Sequence, residues 1–364
     1  MNLENGKISA QQLTALSFGF ILGSSVILPP GQAAGNGSWL AIFLGAGEAI
    51  LFALIFTTLA QRFPSKTAVE INLTVYGPYL GALVSVLFLW YIFDLGSIVT
   101  TNFVDFINTA FLPETPVLII SITTILVSAL AVYQGVEVIA LCSMILVSVT
   151  SVIFMIDFIV QIKDFNFQNF LPFFDVPVGK FLTAIHGAAT FPFGESVAFL
   201  MVFPYLNRPK LNRYAMIISI LAAAALLSLA AIRTLAVLGN TVSIYTYPTY
   251  EALKLLNIPY LNTRMEIVVA LNFMTMGFLK VSVLYYGTVL GLAQLFQLRS
   301  YQVLIWPVGA LMVIFSNLNF NNIIENMEYA RVTYQIYALP FELLFPLITL
   351  GIAMLRHQGG GNSQ

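Results

Sequence analysis

Two charged side chains lie in the middle of long apolar stretches. Glu195 follows the sequence TFPFG inside the stretch 181–204, and Lys280 is the only Lys, Arg, Asp or Glu between Glu266 and Arg299. A charge at membrane depth must find a partner, line a cavity or be neutralised, so such residues mark functional sites. Glu195 and Lys280 are therefore the first candidates for ligand, proton or ion chemistry.

The segment around Glu195 is not suited to a regular lipid-facing helix. Pro192 has no amide hydrogen and crowds the preceding turn, and Gly194 lowers the cost of irregular backbone. A second interruption, GSSVILPP, spans residues 23–30 in the first apolar stretch. Irregular backbone is tolerated in a membrane only inside protein or beside water, and two interrupted helices half a chain apart are typical of inverted-repeat transporters.

The two interruptions have complementary chemistry. Unwinding near Gly23-Ser24-Ser25 would expose backbone amides of the following half-helix, which form an anion site aided by the helix dipole. At the second interruption, a half-helix ending near Thr190 would offer free carbonyls to an ammonium or a hydroxyl. Together they match an α-amino acid. In the competing interpretation, the Gly and Ser residues only allow close helix packing.

The composition identifies an integral membrane protein with many spans. Apolar residues make up 59% of the 364 residues and charged residues only 9%, and the mean hydropathy is +0.89. These values lie far outside the range of soluble proteins. The net charge of −1 and the lack of a basic tract argue against a nucleic-acid partner.

The sequence offers no metal site and no catalytic group. Cys142 is the single cysteine, and the only histidines, His186 and His357, lie far apart. An internal disulfide and a Cys- or His-based metal centre are therefore not expected. Neither a phosphate-binding loop nor a Ser/His/Asp grouping occurs. We predict no enzyme activity and no cofactor.

Windows of about 20 apolar residues fit the hydrocarbon core of a bilayer. The predicted spans are 9–34, 38–60, 79–110, 116–134, 137–161, 178–204, 212–237, 264–294, 300–317 and 335–356. We expect one transmembrane domain over 1–364 with two halves, 9–161 and 178–356, and a flexible tail at 357–364. The first span is interpreted as retained and not as a cleaved signal peptide. Segment 247–256 forms either a short helix at the outer interface or a loop that caps the bundle.

The charges of the connections favour cytoplasmic termini. The side of the N-terminus carries Lys7, Arg62, Lys66, Arg208, Lys210, Arg213, Arg299 and Arg356. The opposite side carries the acids Glu114, Asp164, Asp175, Glu251, Glu325 and Glu328 and the bases Lys163, Lys180, Arg233, Lys254, Arg264 and Arg331. By the positive-inside rule, the more basic side is the cytoplasm.

Five strings along the chain carry a resemblance to a known family. They are ISAQQLTALSFGFILGSSVILPP, FPSKTAVE, FPFGESVAFLMVFPYL, LKVSVLYYGTVLGLAQLF and PFELLFPLITLGIAMLR. Over nearly the whole chain, the sequence resembles the spore germination permease family, the B-subunits of bacterial germinant receptors, within the amino acid/polyamine/organocation transporter superfamily. The last two strings are the more specific ones. At Ser25 the chain departs from related amino acid transporters, which often have a second glycine there.

The resemblance implies an all-α polytopic fold of the LeuT type. It would have about ten transmembrane helices in two inverted five-helix repeats, with broken helices 1 and 6. It also implies a receptor complex in the inner spore membrane with an A-subunit and a lipoprotein C-subunit, and germinants such as amino acids, sugars or nucleosides.

In this fold, helix 8 faces the part of helix 1 where sodium-coupled members hold an ion. We expect the Lys280 ammonium to replace that ion, bound by carbonyls near Gly19–Gly23 or by Glu195. The alternative is a purely structural buried ion pair. Glu195 itself could bind a ligand amine, carry a proton or cap a helix.

Helix 3 commonly lines the cavity of this fold, and Tyr91 and Asp94 share one of its faces. The predicted ligand-binding residues are Gly23, Ser24, Ser25, Tyr91, Asp94, Thr190, Phe191, Phe193, Gly194 and Glu195.

Glu48, Asp94 and Glu342 are taken as the remaining acids inside the spans, and each should face inward or pair. Glu48 could pair with Lys280 or stabilise packing, and Glu342 could belong to an outer gate, a subunit contact or the ligand site. Lys280, Glu48 and Glu342 form the predicted coupling or charge network. His186 is interpreted as structural, with a pH switch as the alternative.

The leading functional prediction is a germinant-receptor subunit that binds a small, amino acid-like ligand in the membrane and signals to partner chains. The alternative is a proton-coupled amino acid transporter, with Lys280 or Glu195 as the coupling group. A third interpretation is a structural subunit whose pocket is vestigial or conducts water or ions. Sequence alone leaves the three open, because a receptor can retain the whole binding architecture of a transporter.

Overall fold

The computed structural model describes residues 3–25, 28–174, 176–255 and 265–359, and the regular structure in these ranges is helical. No strand forms among the described residues, although an isolated parallel bridge joins Ile8 to Leu206. Asp175, Arg264 and the tail residues 360–364, which entered the predictions above, lie outside these ranges.

The long α-helices coincide with predicted spans. In chain order the α-helices are α1 (Ala10–Ser25), α2 (Ser38–Arg62), α3 (Ala68–Tyr76), α4 (Pro78–Ala110), α5 (Val117–Gln134), α6 (Val136–Gln161), α7 (Val178–Ala188), α8 (Asn212–Leu238), α9 (Pro248–Lys254), α10 (Met265–Leu295), α11 (Gln302–Leu318), α12 (Ile323–Glu328), α13 (Tyr334–Leu339) and α14 (Phe345–Leu355).

The helices form a multi-pass membrane protein. Seven helical stretches of the described chain are long and apolar enough to cross a bilayer. The outer faces of α5 and α6 expose large apolar side chains, including Leu130, Ile145 and Ile159. Such a surface is unfavourable in water and suits contact with lipid.

Helices α1 and α10 occupy the centre of the bundle. Every α1 residue from Leu16 to Ser25 is buried, and so is every α10 residue from Leu279 to Gly291. Helix α1 packs against α6, α8 and α10, and α10 also packs against α4. The polar residues in these two stretches are therefore shielded from lipid and from water.

Two short helices lie between the long ones. Helix α3 was not predicted, and it begins with a capping box in which Thr67 and Glu70 satisfy each other's backbone amides. Helix α9 forms within the segment predicted as a short helix or a cap. Its residues Pro248, Thr249 and Leu253 are buried, and α9 contacts α8 and α10. It therefore closes one end of the bundle.

Candidate functional site

A buried ion pair forms where α1, α10 and the segment after α7 meet. Lys280 is fully buried on α10, and its Nζ donates a 2.7 Å hydrogen bond to Ser24 Oγ of α1. The same ammonium pairs with the Glu195 carboxylate, which is also fully buried. The rings of Phe20 and Phe191 lie 5.2 and 5.4 Å from Nζ and add cation–π contacts. The predicted contact of Lys280 with Glu195 is confirmed.

Two tyrosines connect this pair to a second acid. Tyr334 donates a 2.9 Å hydrogen bond to Glu195 Oε1, and its hydroxyl lies 3.0 Å from that of Tyr91. Tyr91 in turn donates to Glu342 Oε1 at 2.7 Å. We call this continuous set the buried polar chain: Ser24, Lys280, Glu195, Tyr334, Tyr91 and Glu342. With two carboxylates and one ammonium, it has a net negative charge unless one acid holds a proton or another cation binds.

Irregular backbone brings Glu195 into the chain. Helix α7 ends at Ala188 and is followed by a π-type turn, in which Phe191 has the extended angles φ −113° and ψ 116°. The sequence dictates this change, because Pro192 supplies no amide hydrogen for a helical bond. A 3-10 segment then runs from Gly194 to Met201, and Glu195 lies in its first turn.

Gly194 allows the chain to pass close to Glu342. A Cβ atom at position 194 would lie 2.7 Å from Glu342 Cδ and would overlap Oε2. Glu342 Oε2 is itself buried and has no hydrogen-bond partner among the described residues. The second acid of the buried polar chain therefore has unused capacity for a proton or a donor group.

The first predicted interruption differs from expectation. Gly23, Ser24 and Ser25 are themselves helical and form the end of α1 at Ser25. Residues 26 and 27 of the predicted interruption lie outside the described residues. Ser25 Oγ donates to the Ile21 carbonyl at 2.6 Å within the helix. A Cβ on Gly23 would lie 2.6 Å from Lys280 Cβ. The physical reason is close packing of α1 on α10, which a continuous helix with a small residue satisfies.

Some predicted ligand-binding residues lie beside the buried polar chain and not in it. Asp94 accepts a 3.0 Å hydrogen bond from Tyr337. The Thr190 hydroxyl donates to the carbonyls of His186 and Gly187, at 3.2 Å each. Phe193 is fully buried in the main apolar core. The Ala189 carbonyl expected to be free accepts the Gly194 amide.

Glu48 does not pair with Lys280. It lies on α2 and forms a 2.7 Å ion pair with His186 of α7, with both side chains about one-third exposed. This pairing follows from the direct packing of α2 on α7. Glu48 is therefore outside the buried polar chain, and His186 has an acidic partner that the sequence did not reveal.

Three residues of interest were missed at the sequence level. Tyr334 was placed outside the last span, although the spacing of Tyr334, Tyr337 and Phe341 puts these three aromatics on one helical face. Asp105 and Asp157 were omitted from the acids inside the spans, although α4 and α6 contain them. An aspartate inside an apolar span is unusual, so both acids could have been identified from the sequence.

The Phe191 ring, which contacts Lys280, also lines a cleft. Its lining includes residues 28–33, Phe191, Arg331 and Gln335. The Arg331 side chain donates a 2.5 Å hydrogen bond to Gln32. Phe191 and Tyr334 make an edge-to-face contact with ring centroids 6.2 Å apart. Lys280 and Glu195 are fully buried and do not line this cleft, so the ion pair is closed off from it in this conformation.

The fold is that of LeuT-type transporters. Mhp1, a nucleobase-cation-symport-1 family transporter, superposes on this chain with a TM-score of 0.65 at 13% identity. The match covers 97% of this chain and 79% of the Mhp1 chain. A Na+-coupled sialic acid symporter gives a TM-score of 0.66 at 12% identity, with coverage of 96% and 79%.

The sequence defines the family more closely. The profile of the family described as spore germination protein matches residues 7–324, and the chain belongs to that family. Spore germination protein KB of Bacillus subtilis (strain 168) is 26% identical over 97% of this chain and 96% of its own. Spore germination protein B2 of the same organism is 23% identical, with coverage of 82% and 83%. The family and the structural neighbours are membrane permeases and transporters.

Proposed function

We propose that this protein is the membrane subunit of a spore germinant receptor, and that it binds a small amino acid-like germinant beside Lys280. The observation that carries the proposal is the fully buried Lys280–Glu195 pair at the irregular backbone between α1, α10 and the segment after α7. Family membership supports a role in germination. An ion pair at membrane depth, enclosed by aromatic rings, has the chemistry to recognise a zwitterion.

The ligand would bind by exchanging partners with the ion pair. Its carboxylate would take Lys280 and the Ser24 hydroxyl, and its ammonium would take Glu195 and the Tyr334 hydroxyl. Each charge then keeps an opposite charge throughout, which limits the desolvation cost. The exchange requires α1 and the segment at 189–201 to separate, so bound ligand would favour a different arrangement of these elements.

The full architecture is part of the same proposal. It comprises one domain over residues 1–364 with ten membrane spans in two inverted five-helix halves. The first broken helix would be α1 with the short turn Gln32–Gly37 after it, and the sixth would be the stretch 178–204. We place the protein in the inner spore membrane with both termini in the cytoplasm, in complex with an A-subunit and a lipoprotein C-subunit.

A proton-coupled amino acid transporter is the second candidate function. The fold shared with two symporters favours it, and the free Oε2 of Glu342 offers a place for a coupling proton. Receptor and transporter differ in whether the ligand crosses the membrane, since both would use the same site.

Proteoliposomes containing the purified chain separate the two functions. Uptake of radiolabelled amino acids would be measured with and without an imposed pH gradient, alongside equilibrium binding to the same preparation. The receptor predicts saturable binding without accumulation, and a germination response that requires the co-expressed A- and C-subunits. Proton-dependent accumulation would establish the transporter, and absence of both binding and uptake for every amino acid would contradict both. The Glu195→Gln variant is the control that should remove the binding component assigned to the Lys280 site.

A further inference from the structure

A second pair of opposite charges is buried away from the buried polar chain. Asp157 on α6 is 2% exposed and Arg233 on α8 is 1% exposed. Both side chains line a cavity that is bounded by α1, α6, α8, α9 and α10. No ion pair joins them among the described residues. The two charges thus face the same space without contacting each other.

Each member of this pair has an atom with no partner. Asp157 Oδ1 is buried and accepts no hydrogen bond, and Arg233 Nε is buried and donates none, within the described part of the chain. Buried polar atoms are almost always satisfied, and buried charges more strictly so. One free acceptor and one free donor across a cavity indicate a bridging group that carries both functions.

The rest of the cavity is largely apolar. Phe154, Leu226, Leu253 and Phe273 contribute to its walls. The guanidinium of Arg233 lies 5.3 Å from the centroid of the Phe154 ring, which fixes its plane. The wall also holds Thr150 and Asn272, which bond each other at 3.2 Å and therefore do not supply the missing partners.

Helix α9 covers this cavity at one end. Thr249 and Leu253 of α9 belong to its lining. The Gln161 side chain of α6 donates to the Ala252 carbonyl and ties α9 to the helix that carries Asp157. A molecule bound here would contact α6, α8, α9 and α10 together.

We propose that the cavity between Asp157 and Arg233 is a second binding site, for a small α-amino acid with an apolar side chain. The guanidinium of Arg233 binds the ligand carboxylate, Asp157 accepts from its ammonium, and the aromatic and aliphatic walls contact its side chain. The site uses none of the residues of the buried polar chain. It therefore stands or falls independently of the function proposed above.

The test is equilibrium binding of radiolabelled L-alanine, L-valine and L-leucine to the purified full-length protein. To isolate the second site, binding is measured in a Glu195→Gln/Lys280→Met background as well as in the wild type. We expect saturable binding in both backgrounds. In the Glu195→Gln/Lys280→Met background, Arg233→Met or Asp157→Asn should lower the affinity about tenfold or more, because each change removes a charged hydrogen-bond partner. Isovalerate and isobutylamine, which each lack one of the two charged groups of valine, should compete poorly.

Matched variants separate binding from folding. Thr234→Val removes a neighbouring buried hydroxyl that has no hydrogen-bond partner among the described residues and does not line the cavity, and it should leave binding unchanged. In the Glu195→Gln/Lys280→Met background, Asp157→Leu/Arg233→Met removes both charges together, so neither is left unpaired, and it should yield folded protein that does not bind.

Three results would overturn the proposal. The first is binding in the Glu195→Gln/Lys280→Met background that is unchanged by Arg233→Met and by Asp157→Asn. The second is absence of saturable binding of all three amino acids in that background. The third is an experimental map of the amino acid-soaked protein with ordered water alone between the two side chains. Loss of wild-type binding through Glu195→Gln alone would support the receptor site while excluding the second one.

Discussion

At the scale of single residues, the site depends on one lysine whose charge is compensated inside the protein. Lys280 contacts Ser24, Glu195 and two aromatic rings, and no part of it reaches solvent. Burying two charges costs several kcal/mol each, and their mutual attraction only partly offsets this. A pair of this kind is weak evidence for stability alone, so its position between three elements favours a functional role.

Removing one member of the pair should therefore be far more harmful than removing both. We predict that Lys280→Met lowers the free energy of unfolding by about 3 to 5 kcal/mol, because it leaves the Glu195 carboxylate buried without its counter-charge. Thermal unfolding of the detergent-purified protein measures the loss. The double variant Lys280→Met/Glu195→Gln should recover most of the stability without recovering ligand binding at the Lys280 site. A single variant that unfolds and binds like the wild type would contradict this assignment.

The residues of the site differed in how well sequence could predict them. Lys280 and Glu195 could be paired from sequence because each charge is isolated in an apolar stretch and has few possible partners. Tyr334 could not be identified in this way, since aromatic residues are common in every span and its bond to Glu195 depends on how the last helices approach the centre. For the same reason, sequence could not decide whether Glu48 pairs with Lys280 or stabilises packing. Its contact with His186 depends on the packing of α2 on α7, which is a property of the whole bundle.

At the scale of elements, hydrophobic length predicted most of the long helices, and the interruptions were harder to locate. The Pro192 and Gly194 signals correctly marked irregular backbone, because proline removes a helical hydrogen bond wherever it lies. Gly23-Ser24-Ser25 contains no proline, so its backbone can make helical hydrogen bonds, and α1 stays helical through these residues. Helix α3 was missed because hydropathy windows identify long apolar spans and not nine-residue helices that begin with a capping box.

Two glycines should respond differently to the same substitution. Alanine at Gly194 would overlap mainly the end of a flexible side chain and displace the Glu342 carboxylate from Tyr91, although its Cβ would also lie 3.1 Å from the Ala189 carbonyl. Alanine at Gly23 would meet Lys280 Cβ and, at 3.2 Å, the Met276 carbonyl, which forces α1 and α10 apart. We predict that Gly194→Ala impairs ligand binding and the germination response with little loss of thermal stability. Gly23→Ala should impair ligand binding and also lower the thermal stability.

The control for these variants is Gly47 on α2, where an added Cβ would meet nothing within 4 Å. Gly47→Ala should keep wild-type binding and should be neutral or slightly stabilising, since alanine is the better helix former by about 0.5 to 1 kcal/mol. The distinction between the two glycines would be disproved if Gly194→Ala destabilised the protein as much as Gly23→Ala while leaving binding intact.

At the scale of the whole molecule, the fold is shared with cation-coupled symporters, but the centre of this protein carries its own cation. Lys280 lies on α10 and bonds to α1 through Ser24, and the ammonium is a covalently attached positive charge that dissociates from the site only if the helices separate. Among the described residues, no group of three or more His, Cys, Asp or Glu side chains is arranged to hold a metal ion.

We therefore predict that ligand binding is independent of sodium. Replacing NaCl with choline chloride at constant ionic strength should leave the Kd of the bound amino acid within about twofold, because the charge that sodium would supply is already present and screening is matched. In Lys280→Ala the ammonium is lost and space opens beside Ser24 and Glu195, so binding should weaken, and any recovery on adding Na+ would show that the ion can substitute for the side chain. A steep dependence of wild-type binding on Na+ would contradict the idea that Lys280 supplies the positive charge of the site. It would mean that a second cation is required beside a lysine that already pairs with Glu195.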